Sequence, residues 1–111
     1  MPEISRVAFL ASEYPPFVYG GLGTHVQALT AALAAQSVEV ELFVPERTTY
    51  QAPPAGVRLH EVPIPEAQSD TEFWLSFCQC ATAMVDRVQQ TVDIIHSHDW
   101  MTGLGGIGFR R

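Results

Sequence analysis

The segment RVAFLASEYPPFVYGGLGTHVQALTAAL, residues 6–33, decides the fold. Its opening, RVAFLA (6–11), is a short apolar run of the kind that forms a strand buried on both faces. Pro15 and Pro16 stop that strand and hold the residues before them extended. The glycine turn Gly20-Gly21-Leu22-Gly23 follows. Thr24 and Gln27 have the spacing of a capping box, and Val26, Leu29 and Leu33 recur at helical intervals. The spacing predicts a helix from this point to about Gln36.

Working outward, SVEVELFVP (37–45) alternates with period two and is expected to be a strand. RTTYQAPPAG is a loop, and VRLHEVPIP (57–65) is a shorter strand nearer the sheet edge. Ser69 and Glu72 form a second capping-box pattern, and Phe73, Phe77, Ala81, Met84 and Val88 continue it as an amphipathic helix over roughly 70–90. VDIIHSH (92–98) is the last strand and leads into the glycine-rich TGLGGIGFRR. Strands alternating with helices predict an α/β fold, a Rossmann-like, mainly parallel sheet flanked by helices. In such sheets ligands bind beyond the carboxyl ends of the strands. The glycine turn and the histidine strand both lie at carboxyl ends, so a central first strand would let them share one crevice.

Composition narrows the function classes. The 111 residues suffice for one small domain, and 47% hydrophobic against 16% charged residues allows a packed core. The net charge is −6, all six cations are arginines, and no basic patch is visible, which disfavours nucleic acid. No apolar run approaches the roughly 20 residues of a membrane span. MPEISRVAFL carries Glu3 and no basic leader, so it reads as mature protein of the cytoplasm. Cys78 and Cys80 stand two apart in a helical context and point apart, as structural thiols do, without a shared metal or bridge.

Two readings of the glycine turn are open on the residues alone. Its glycines permit positive φ and close approach of a ligand, and a helix start behind them suits phosphate. Alternatively it is a tight strand-to-helix turn without a ligand. It is neither a P-loop, since lysine is absent, nor a full G-x-G-x-x-G, since Val26 replaces the third glycine. His25 either donates to an anion or lies on the surface. His96 and His98 share one strand face, as zinc ligands can. The metallo-β-lactamase and amidohydrolase patterns nevertheless each miss by one residue, at Asp99 and at Asp93. The other reading is a histidine at the sheet end, with Trp100 in the core.

Together, EYPPFVYGGLGTHVQALTAAL, VEVELFVP and DIIHSHDWMTGL resemble the N-terminal half of a GT-B retaining glycosyltransferase of the family-four type, related to glycogen and starch synthases. The resemblance spans nearly the whole chain. It implies hexosyl transfer from a nucleotide sugar such as ADP-glucose or UDP-glucose to a carbohydrate or other acceptor, in a cleft between two Rossmann-like domains. No separate cofactor or metal is implied. It places Gly20, Gly21, Leu22 and Gly23 against the donor diphosphate and His98 beside the transferred sugar, with Asp99. Tyr14, His25 and Trp100 are expected to contact substrate, and His96 to be structural. Glycogen and starch synthases carry lysine where this chain has Val18, which favours the broader family-four type. The expectation is an incomplete acceptor-side domain, without the nucleotide-sugar domain and inactive alone. A second reading is a non-catalytic half-domain that binds a sugar, or a partner or second copy through an open sheet edge.

Overall fold

The computed structural model describes residues 4–16, 21–46, 49–64, 69, 79–80, 82–84, 87–88 and 92–97. Four strands and one long helix follow in the order β1 (Arg6–Leu10), α1 (Leu22–Ala35), β2 (Glu39–Pro45), β3 (Val57–Val62) and β4 (Ile94–Ser97). All strand pairings are parallel, and the sheet order is β3-β2-β1-β4. Residues 79–80 and 82–84 are helical, whereas Arg87 and Val88, inside the helix expected over 70–90, are already a turn and irregular chain; the other residues of that span, Glu72 of its capping box included, lie outside the described residues.

Strand periodicity divides the core. Val7, Phe9, Val40, Leu42, Val44 and Val57 point to one side, where Val26 of α1 and Tyr14 join them. Ala8, Leu10, Phe43 and Val62 point to the other side and meet Cys80 and Met84. β1 is therefore central and buried on both faces, as its apolar run predicts, and β3 lies at the edge as expected. Cys80 is buried, its Sγ donating to the Val62 carbonyl at 3.6 Å.

Two local expectations are corrected. The Thr24–Gln27 capping box does not form: α1 begins at Leu22 with Gly21 as its N-cap and no side-chain cap. Gln27 instead donates to Gln51 Oε1 at 3.2 Å, since a side chain one turn inside a helix can no longer reach its start. Gly21 has φ −80°, so positive φ is not what the glycine supplies there. The strand expected over 37–45 forms as β2, which is buried from Val40 to Pro45, Glu41 included.

The sheet is fastened at its amino end by Asp93, just before β4. Its Oδ2 accepts from Ser5 N–H at 2.8 Å, Arg6 N–H at 3.0 Å and Ser5 Oγ at 3.2 Å, while its own N–H donates to the Arg6 carbonyl at 2.8 Å. The Ser5 and Arg6 backbone donors hold its carboxyl below the usual aspartate range. Asp93→Ala is expected to lower the thermal midpoint at neutral pH and to flatten the acid limb of stability against pH. The sign follows from the depressed value: the native state binds fewer protons, so this contribution holds above the ordinary carboxylate value and fades as pH falls through the folded one. Unfolding scans of both proteins from neutral to acid pH check it. Parallel curves would show that Asp93 does not fasten the sheet.

Candidate functional site

After β3 the chain returns to the opposite side of β1, so the strand order reverses between β1 and β4. A crevice beyond the carboxyl ends of these two strands is where open α/β sheets hold ligands. Leu10 pairs with Ser97 at that end, and the β1–α1 connection rises from it.

Gly21 occupies the mouth of the turn. It is exposed, in an ordinary helical conformation, and a Cβ built on it meets nothing within 4 Å. Neither backbone strain nor packing within the described chain demands a glycine. Behind it α1 starts without a side-chain cap and without an acidic residue in its first turn. The first intrahelical bond runs from His25 N–H to Gly21 O at 2.9 Å, so the amides of Leu22, Gly23 and Thr24 have no intrahelical acceptor. Uncapped amides, the positive end of a 14-residue helix and open space in front are the features with which a helix start can hold an anion.

The expected site residues take distinct positions. Gly21 and Leu22 open the helix, and Gly23 is buried in its first turn. His25 is exposed on the same turn. Tyr14 is wholly buried behind the turn, edge-on to Tyr50 with ring centroids 6.3 Å apart. Its hydroxyl makes no hydrogen bond of ordinary geometry. Burial raises its pKa, and the nearby Gln27 side chain partly opposes that rise. Gly20, His98, Asp99 and Trp100 lie outside the described residues.

The structure adds one residue to this neighbourhood. His96 leaves the carboxyl half of β4 and stacks on Phe9 at 5.0 Å, with the rings inclined by 17°. Its packing on a core ring fits the structural role expected of it. Partial burial lowers its pKa, and the His25 imidazole lowers it further. No spacing pattern links these two positions, which lie far apart in sequence. His96 is expected to titrate below an ordinary histidine in an NMR pH series. In His25→Ala its value should rise only partway, because burial is the larger cause. An unchanged value would disconnect the two.

The chain matches the family model described as "Glycosyl transferase 4-like domain" over residues 20–111. Among curated relatives, a D-inositol 3-phosphate glycosyltransferase of Arthrobacter sp. (strain FB24) is 34% identical across 100% of this chain and 30% of its own length. An alpha-maltose-1-phosphate synthase of Mycolicibacterium smegmatis is 34% identical over 91% of this chain and 24% of its own length. A glycogen synthase of Mycobacterium tuberculosis (strain CDC 1551 / Oshkosh) is 31% identical over 86% and 28%. This chain thus spans less than a third of each of these relatives. The catalytic domain of starch synthase IV from Arabidopsis thaliana, solved with ADP and acarbose, superimposes with a TM-score of 0.72 at 21% identity, over 93% of this chain and 29% of that one. At that identity the likeness shows the fold, the Rossmann-like sheet of a GT-B enzyme. With the family model covering residues 20–111, the chain belongs to the glycosyl transferase 4-like family.

Proposed function

We propose that the crevice at the carboxyl ends of β1 and β4 receives the diphosphate of a nucleotide-sugar donor, and that the protein serves retaining hexosyl transfer to a carbohydrate or related acceptor. The observation that carries this reading is the uncapped start of α1 at Gly21, with open space where a side chain would sit. In the reaction the bond from the anomeric carbon to the diphosphate oxygen breaks, and its electron pair leaves with the diphosphate. An acceptor hydroxyl forms the new bond to the anomeric carbon and passes its proton to the departing diphosphate oxygen. Helix amides aimed at the departing phosphate stabilise the charge that develops there.

In this reading Gly20, Gly21, Leu22 and Gly23 hold the diphosphate. His98 and Asp99 stand at the transferred sugar. His25 and Trp100 contact substrate, and Tyr14 supports the turn from behind. The 24–30% of relatives' length that this chain spans supports its role as the N-terminal, acceptor-side wall of a two-walled cleft. The other wall, and full activity, would come from the remaining length those relatives have. Among the described residues no helix is long and apolar enough to cross a membrane. A cytoplasmic setting goes with the reading. Self-association would use the outer strands, β3 or β4.

Calorimetric titration of the chain with ADP-glucose and UDP-glucose tests the proposal. Saturable heat that glucose alone and the bare nucleoside fail to give is the expected result. Equal binding of nucleoside and nucleotide sugar would remove the diphosphate from the account.

A further inference from the structure

A second cavity, of about 540 Å³, lies on the face of the sheet opposite α1. Its size is within the ~300–1,000 Å³ of small-molecule sites. Glu41, Arg58, His60, Glu61 and Arg87 line it, with Phe43 as an apolar floor.

Its polar groups are arranged around a buried carboxylate. Glu41 is 6% exposed on a central strand. Arg58, its register partner on β3, brings Nε to 3.0 Å from Glu41 Oε2, and His60 Nε2 stands 3.5 Å from Oε1. Neither contact has hydrogen-bond geometry: Glu41 Oε2 and His60 Nε2 are both covered from solvent and both lack a hydrogen bond. The buried carboxylate is thus balanced by charge rather than by hydrogen bonds, and the ligand-facing groups are the exposed parts of Arg58, Glu61 and Arg87. The His60 ring is held on Phe43 at 4.7 Å and 17°. Arg58 keeps half of its side chain in the open, where its terminal nitrogens remain available.

Donor and acceptor chemistry selects the ligand. A carboxylate only accepts and a guanidinium only donates. Inorganic phosphate would satisfy the arginines and face the carboxylates; an amine would do the reverse. A hydroxyl does both. The charges of Arg58 and Arg87 balance those of Glu41 and Glu61, so the lining offers no net attraction to an ion. We infer that this cavity is a binding site for a neutral polyhydroxylated ring, a sugar or cyclitol, separate from the crevice at the strand ends. The inference rests on this cavity and not on the diphosphate reading, so either survives the failure of the other.

Amide chemical-shift mapping of the 111-residue chain tests it, with maltotriose, myo-inositol and inorganic phosphate as separate probes. The expected result is saturable shifts at residues 58–61 and 87–88 with at least one polyol, and none there with phosphate. Preference between the two polyols then tells an oligosaccharide from a cyclitol. Arg87→Gln, which leaves the Glu41–Arg58 pair in place, should weaken the response about tenfold, as expected for one lost charged hydrogen bond. Arg58→Gln should weaken it at least as much. Shifts with phosphate alone, polyol shifts confined to residues 21–25 and 96, or no response from either polyol would each overturn the inference, as would full binding by Arg87→Gln.

Discussion

Gly21→Val is expected to weaken binding of a nucleoside diphosphate by on the order of 100-fold while leaving the fold intact. The space in front of Gly21 is empty, so the valine meets no atom of its own chain through Cβ. The backbone there is already helical, so no glycine-specific conformation is lost. The cost to folding is confined to replacing glycine by a poor N-cap, about 1 kcal/mol. A phosphate approaching the amides of residues 22–24, in contrast, meets the two γ-methyls. Losing two charge-assisted hydrogen bonds costs about 3 kcal/mol, which is roughly 100-fold in Kd. Calorimetry of both proteins with ADP, alongside their melting curves, checks the prediction. Unchanged affinity in a folded variant would mean that the glycine serves something other than phosphate.

Phe9→Ala is expected to cost about 3–5 kcal/mol, a large part of the ~5–15 kcal/mol that holds a domain together. Phe9 is completely buried on the central strand, between Leu42 of β2 and His96 of β4 in register. Truncation leaves a cavity between the sheet and α1, where Val7, Val26 and Val40 belong to the same cluster. It also removes the ring on which His96 stacks, so the crevice loses a support together with the core. Denaturant unfolding measures this. A loss below about 1 kcal/mol would mean that the site collapses easily and that β1 is not the organising strand.

Much of this architecture was legible because it follows from periodicity and chain stops. RVAFLA, bounded by Pro15 and Pro16, marked a doubly buried strand, and the stretch from Val26 to Gln36 marked the helix end within a residue. The adjacency of β1 and β4 agrees with the expectation that a central first strand puts both motifs at one end of the sheet; Gly20, His98, Asp99 and Trp100 themselves lie outside the described residues. What sequence did not convey was pairing across the sheet. Glu41 occupies a polar place in an alternating pattern, which reads as solvent-facing. Only the register with Arg58 and His60 on β3 shows why a carboxylate is buried on a central strand. Thr24 and Gln27 matched a cap by spacing, but the chain enters the helix two residues earlier, and Gln51, brought near by the β2–β3 loop, takes the Gln27 side chain. The effect of His25 on the His96 imidazole arises in the same way from the fold, which brings the first turn of α1 and β4 to one side of the sheet, a relation that no local pattern carries.

The most direct measurement of the central claim is residue-resolved amide mapping of the chain with ADP. The account predicts saturable shifts centred on residues 21–25 and on His96, absent with adenosine and suppressed in Gly21→Val. Shifts centred on the Arg58–His60 face, or an identical pattern with adenosine, would contradict a diphosphate seat at the start of α1.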